Sequence, residues 1–495
     1  PLANSPDALK AVMEELSELR DGHVWDEENP KKASDVAKDE PDSHIARIFP
    51  IVGIKHFEDI SMRKFKGRIV LSGDKIKLAN GQWATFQELG RVPATMTACR
   101  ILLAIFALVR DARILQTDCI RAYVQAEMKG PKTYIRMPKA WWPKHWAGKF
   151  KDPVCELKRA LYGHPNAGDI WGDKLEAELV RIGFQTVESW PSVYVMYPEG
   201  ELTVAFVVYV DDLIMIGSGY LVQVIEQLKQ TINFEEPTEI QKYLGCVHHI
   251  TKRTVEGEVI TEVNFDMANY FQAAIEQYRE VCSEKLTAAA SPYAPRLDPS
   301  IEDKLMAETG DLAPHAASLI MKLMYGARMA GPHLITIISK MSSRITKWTK
   351  DDDRRLHRVY CYLFGAINLT LHGCLSTADL EEFVIVAWPD ADFCGDVTTT
   401  RSTSGYFLEI QGREGRSFPL GWGSKKQGAT ARHTSEAETI SLASCLSMEA
   451  IPVQQLVPSI MRRAVELKVM EDNMATIISI NKGYSPSLRN LKKRS

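Results

Sequence analysis

Apolar and polar positions along the chain change period several times. In residues 1–50 the apolar residues Leu9, Val12, Leu16 and Leu19 keep a weak helical spacing, broken by Asn29-Pro30-Lys31-Lys32 and Asp39-Glu40-Pro41-Asp42. That pattern predicts a charged, loosely packed extension. Lys66–Leu71 alternates and stops at Ser72-Gly73, which predicts a strand. From Ala94 to Arg110 the helical spacing is largely apolar, as in a buried helix. Ile114–Met128 begins strand-like and ends in a polar turn before Gly130-Pro131. A loop around Gly163–Gly168 precedes a helix with Trp171, Leu175, Leu179 and Ile182 on one face. Two apolar strands, Val204–Val210 and Leu213–Ile216, flank Asp211-Asp212, so a hairpin with two carboxylates at its tip is expected.

Further along, Lys242–Thr251 and Val255–Val263 predict a second hairpin and Asp266–Cys282 a helix. Ser291–Pro299 is Pro-rich and reads as a linker, and residues 314–366 as two or three helices. Phe383–Trp388 opens a strand-rich region with helical segments near Glu436–Leu446 and Ala475–Asn481.

Composition narrows the class. The 495 residues set a soft prior of roughly three domains. Hydrophobic residues at 45% and charged residues at 25% are globular values. A formal net charge of −3 excludes a histone-like polycation and leaves room for a local basic groove. The nine cysteines include no Cys-x-x-Cys pair, so neither a disulfide framework nor a zinc module is expected; reduced thiols in an intracellular protein are. The longest apolar run, Ile101–Val109, is shorter than the about 20 residues that span a bilayer. The chain opens at Pro1 and closes on Lys492-Lys493-Arg494-Ser495, and is expected to be a fragment of a longer polypeptide.

Three acidic features stand out. Asp211-Asp212 on its own reads as a solvated turn, but an apolar strand on each side holds the pair rigidly at a sheet edge. Asp118 on its own reads as a cap or turn residue. Joined to Asp211 and Asp212, it completes a three-carboxylate oxygen site of the kind that hard Mg²⁺ occupies together with substrate phosphates. The third feature is a set. Asp390-Ala391-Asp392 follows Phe383–Trp388, Glu436-Ala437-Glu438 opens a helix, and Glu471-Asp472 follows the strand Glu466–Met470. No acid occurs after Asp472.

These residues resemble a known family. From about Lys64 onward, some 430 of the 495 residues, the chain is similar to the reverse transcriptase–ribonuclease H portion of copia-type retrotransposon polyproteins. Carrying the resemblance are Thr117-Asp118 through Tyr134-Ile135-Arg136-Met137-Pro138, Leu157–Gly163 through Trp171, the Tyr209-Val210-Asp211-Asp212 box, and Tyr243-Leu244-Gly245. Arg401–Tyr406, Trp422, Ser424–Gln427 and Ser435–Glu438 match the ribonuclease H part. The chain departs from the family at His164–Asp169, at Gly331-Pro332-His333 and at Asn490.

The resemblance implies an α+β fold: a right-hand polymerase with fingers, palm and thumb, a helical connection and a C-terminal ribonuclease H-like α/β domain. The implied division is an extension over 1–50, fingers and palm over 51–237, primer-grip hairpin and thumb over 238–300, connection over 301–378, and a C-terminally truncated ribonuclease H-like domain over 379–495. It implies RNA- and DNA-directed DNA synthesis by two-metal nucleotidyl transfer, with hydrolysis of RNA in hybrids. Asp118, Asp211 and Asp212 would hold the polymerase Mg²⁺ (or Mn²⁺), and Asp390, Glu436 and Asp472 the ribonuclease H metals. Tyr123 would sit under the incoming sugar and exclude a 2′-hydroxyl, and Lys66 and Arg68 would approach the triphosphate. The implied partners are an RNA template, a DNA primer, an RNA–DNA hybrid and deoxynucleoside triphosphates, in the cytoplasm or nucleus and away from membranes. Two other readings stay open: a decayed retroelement copy that only binds nucleic acid, and a metal-dependent nuclease alone.

Overall fold

The computed structural model describes residues 5–55, 64–86, 91–146, 148–396 and 399–483. The basic tail and Asn490 lie outside these described residues. The architecture is mixed α/β, with four sheets among the described residues.

In the first sheet, strand His44–Lys55 lies between Lys64–Leu71, antiparallel to it, and Thr133–Arg136, parallel to it. Pro153–Glu156 and Lys31–Lys32 extend the sheet beyond Thr133–Arg136. Across Lys64–Leu71 packs the helix Pro6–Asp21, whose N-cap Ser5 Oγ accepts from the Ala8 amide at 3.1 Å. Leu16 and Leu19 are buried in one core with Trp25, Ile69 and Leu71. The crossing is close: a Cβ at Gly67 would stand 2.5 Å from the Ala11 carbonyl oxygen. The loosely packed extension expected for residues 1–50 is therefore corrected. A single narrow apolar stripe suffices, because the strand below offers backbone rather than a bulky side chain.

The second sheet runs in the order Thr238–Glu239, Arg113–Asp118, Asp212–Gly217, Val204–Tyr209, Trp190–Met196, Gln185–Val187. Its strands are apolar on both faces because both are covered. Ile114, Val193, Val195, Ala205, Val207, Ile214 and Ile216 face the core that includes helix Met96–Leu108. Their neighbours Leu115, Tyr194, Met196, Phe206, Val208, Leu213 and Met215 face the helices Ala167–Arg181 and Leu221–Leu228.

The third sheet joins Lys242–Tyr243, Cys246–Val255, Glu258–Asp266 and Leu371–Ser376. Glu256 and Gly257 form a two-residue turn, both at positive φ, as the right-handed twist of a hairpin favours. Helices Ala268–Val281, Ala316–Ala330, Pro332–Ser342 and Lys350–Gly365 share the large central core with this sheet. The expected linker Ser291–Pro299 is strapped down: Arg358 Nε donates to the Ser291 carbonyl at 2.9 Å and an Arg354 nitrogen to that of Pro295 at 2.8 Å.

In the fourth sheet, Val384–Asp392, Thr403–Gln411 and Ser417–Lys426 are antiparallel, and Leu467–Val469 pairs parallel to Val384–Asp392. Thr434–Cys445, the π turn Leu446–Ala450 and Ile451–Met461 run on as one helical stretch of 28 residues, long and apolar enough to cross a membrane by length and composition. Its Cys445, Ala450, Val453, Leu456 and Ile460 are buried in the central core.

Candidate functional site

Asp118 ends strand Arg113–Asp118, and antiparallel register sets it opposite Asp212, the first residue of the adjacent strand. Directly opposed residues in such a pair have Cβ atoms about 4.5–5.5 Å apart. Asp212 in turn pairs with Tyr209, which leaves a two-residue turn, Val210-Asp211. Val210 lies at φ 61, a conformation that costs a β-branched residue about 1–3 kcal/mol. Two contacts hold the turn and a third holds the strand that enters it. Trp171 Nε1 donates to the Val210 carbonyl at 2.8 Å, the Cys119 amide to the Asp211 carbonyl at 2.8 Å, and the Ala94 amide to the Val208 carbonyl at 3.0 Å. Sequence reasoning placed Trp171 on the inner helix face and missed this second task.

The electrostatics follow from the crowding. Burial, then the charges of Asp211 and Asp118, push Asp212 up to about 7. Burial and Asp211 also raise the Tyr123 hydroxyl. Tyr123 is half-buried, and its ring packs on Tyr162 with centroids 4.8 Å apart. The Arg68 guanidinium lies 5.9 Å from the Tyr162 centroid. Lys66 and Arg68 share one face of strand Lys64–Leu71, two residues apart. Glu15, on the N-terminal helix, sits in the field of Arg121, Lys66 and Arg68, and Arg121 also pairs with Glu18. Structure thus adds Glu15, Glu18 and Arg121 to this neighbourhood. The apolar spacing of Val12, Leu16 and Leu19 marks the buried side of that helix and gives no signal of which polar positions meet a distant strand.

A second constellation lies on the fourth sheet. Ala387 pairs with Val469 in parallel register. Asp390, still within its strand, and Asp472, just past the end of its own, each come three residues later (390−387 and 472−469), so they stand at the same level on neighbouring parallel segments. Ser441 Oγ donates to the Asp390 carbonyl at 2.6 Å and pins helix Thr434–Cys445 against the strand. One turn earlier, Glu438 shares that inward face. Ligand atoms of Asp390, Glu438 and Asp472 all lie within 4.8 Å of one another.

Glu436, the expected member, is not in this set. Two residues on a helix turn a side chain about 200° away, and the Glu436 Oε2 accepts from the Arg432 amide at 2.8 Å. The signal for Glu438 was present: with Ser441, Leu442 and Cys445 it forms an i, i+3, i+4, i+7 buried stripe.

Glu438 is 5% exposed, and its Oε2 has no hydrogen-bond partner among the described residues. Burial, then Asp390, Glu471 and Asp472, push it up to about 7. A sealed carboxylate oxygen beside two further carboxylates suits a hard divalent cation.

Residues 41–278 match a family model described as "Reverse transcriptase (RNA-dependent DNA polymerase)". The chain is similar to the "Retrovirus-related Pol polyprotein from transposon RE1" of Arabidopsis thaliana, 26% identical over 445 residues, 88% of this chain and 27% of the polyprotein. It is also similar to the polyprotein from transposon RE2 of the same plant, 26% identical over 79% of this chain and 25% of that protein. With a "Putative transposon Ty5-1 protein" of Saccharomyces cerevisiae it shares 23% identity over 66% of this chain and 97% of the yeast protein. The chain spans about a quarter of the length of the plant polyproteins it matches.

Proposed function

From the homology of this chain with the reverse-transcriptase region of copia-type retrotransposon Pol polyproteins, we propose that it is an RNA- and DNA-directed DNA polymerase with an associated ribonuclease H domain. The observation that carries the reading is the register setting Asp212 opposite Asp118, beneath a turn that holds Asp211. In this reading residues 51–237 are fingers and palm, 238–300 the primer-grip hairpin and thumb, 301–378 the connection and 379–495 the ribonuclease H-like domain.

Asp118, Asp211 and Asp212 would hold Mg²⁺ or Mn²⁺, which when bound neutralises phosphate charge during nucleotidyl transfer. Lys66 and Arg68 orient the triphosphate by charge. Tyr123, braced by Tyr162, presents a ring that a 2′-hydroxyl would strike. The site's own contribution is positioning: two contacts lock the turn and a third the strand that enters it before substrate arrives.

Asp390, Glu438 and Asp472 support hydrolysis of RNA in hybrids as the second activity. The test is incorporation of deoxynucleotides on a primed RNA template, with hybrid cleavage measured in parallel. Incorporation supports the polymerase reading. Cleavage without incorporation would leave the nuclease alone, and neither activity would mark a decayed copy.

A further inference from the structure

Tyr123 sits in a single 3-10 turn, Ala122–Gln125. Arg121, just before the turn, lies at φ 49, in the left-handed region that a long side chain seldom adopts. Such a backbone persists only where its surroundings fix it. The Gln125 side chain does much of that work. Its Nε2 donates to the Ile120 carbonyl and to the Asn233 carbonyl, both at 2.7 Å, and its Oε1 accepts from the Asn233 amide at 2.9 Å. The amide thus uses both donors and its acceptor on backbone groups. It closes the chain around Arg121 and pairs with Asn233 as a neighbouring strand would. The Ile120 amide also donates to the Asn233 carbonyl, at 3.0 Å. Two residues on, the Glu235 amide donates to the Asp118 carbonyl at 2.9 Å, and Thr117 Oγ1 to the Glu235 carbonyl at 2.6 Å. Asn233–Glu235 therefore backs both Asp118 and the tyrosine turn. The Gln125 carbonyl in turn accepts from Lys174 Nζ at 2.8 Å and from an Arg159 nitrogen at 3.2 Å.

We propose that Gln125 is a positioning residue for sugar choice, its side-chain amide fixing the turn that carries Tyr123. The proposal rests on the reading of Tyr123 as the group that a 2′-hydroxyl would strike. Packing on Tyr162 steadies the ring, but its distance from Asp118 is set by the backbone between them. A gate that works by contact depends on that distance to about 1 Å.

The test is incorporation of a deoxynucleotide and of the matching ribonucleotide on a primed RNA template by the full chain and by Gln125→Glu, Tyr123→Ala and the double variant. Gln125→Glu keeps the shape and the acceptor for the Asn233 amide, but turns an oxygen toward the Ile120 and Asn233 carbonyls, so the clamp opens. The deoxy-to-ribo ratio of kcat/KM is expected to fall about fivefold in Gln125→Glu, chiefly through a gain for the ribonucleotide. Added to Tyr123→Ala, the same change should move the ratio by less than about twofold, because the group it positions is gone. Equal losses for both sugars in Gln125→Glu would make Gln125 a support of the fold only. An undiminished effect in the Tyr123→Ala background would show that it acts without Tyr123; either result overturns the proposal. Should Gln125→Glu not fold, Gln125→Ala carries the comparison, since the clamp is open enough for water to meet the freed backbone groups. If Tyr123→Ala itself leaves the ratio unchanged, or the parent chain incorporates neither nucleotide, the reading of Tyr123 as a gate falls, and the proposal with it.

Discussion

Asp212 carries the largest electrostatic cost at the hairpin, and its sign can be worked out. Its folded pKa, about 7, lies above the ordinary 3.8. The folded chain thus binds more protons than the unfolded chain between those values, so stability of the metal-free protein falls as pH rises from about 4 to about 7. The fall is on the order of 2 kcal/mol, about half of the unscreened ~1.4 kcal/mol per pH unit. Asp212→Asn should flatten this slope, and Mg²⁺ should raise the melting temperature more at pH 8 than at pH 5. Equal Mg²⁺ effects at both pH values would contradict it. At Tyr123, Tyr123→Ala should relax the choice between deoxy- and ribonucleotides by about tenfold or more, read as the ratio of kcat/KM values. Unchanged discrimination would make Tyr123 a packing partner of Tyr162 only. Asp118, Asp211, Asp212, Asp390 and Asp472 were legible because each ends or follows an apolar strand. Choosing between Glu436 and Glu438 required the helix phase, which two acids one residue apart obscure until Ser441 and Leu442 fix the inward face.

Among the elements, the N-terminal helix Pro6–Asp21 departs furthest from its pattern in the sequence. Its apolar stripe is thin, and what makes it pack is Gly67 on another segment, a long-range fact that no local period records. Gly67→Val should push the helix off strand Lys64–Leu71 and destabilise the protein by roughly 1–3 kcal/mol. Because Glu15 and Glu18 leave with the helix, apparent nucleotide affinity should change as well, and Ser5→Ala, which only removes a cap, should cost about 1 kcal/mol without that change. Denaturant melts and nucleotide KM values check both. An unshifted melt for Gly67→Val would show that the helix and strand are not in backbone contact. Two strands of the second sheet were legible, since sheets covered on both faces write continuous apolar runs: Val204–Tyr209 and Asp212–Gly217 fall within a residue of their expected bounds.

Across the whole molecule, Arg100 joins three regions. Buried on helix Met96–Leu108, it donates to the Arg328 and Met329 carbonyls at 2.8 and 2.9 Å and to the Leu420 carbonyl at 3.1 Å, with its guanidinium 4.1 Å from the Trp422 ring centroid. Arg328 and Met329 lie in the last turn of Ala316–Ala330, where carbonyls lack helical partners and a cation is favoured. Burial lowers the arginine pKa to about 10, still charged at neutral pH. Arg100→Met would strand those carbonyls and should cost about 2–4 kcal/mol, with faster amide exchange across Ser417–Lys426. In sequence Arg100 looks like the polar edge of an apolar run, because its partners lie more than 200 residues away. The two acidic constellations are likewise separate, on different sheets, so the two proposed activities should separate too. The most direct measurement is primer extension and hybrid cleavage on the same preparations of the full chain, Asp211→Asn and Asp390→Asn. Asp211→Asn should lose nucleotide incorporation by at least about a hundredfold while retaining hybrid cleavage, and Asp390→Asn should do the reverse. Undiminished incorporation by Asp211→Asn would contradict the polymerase reading.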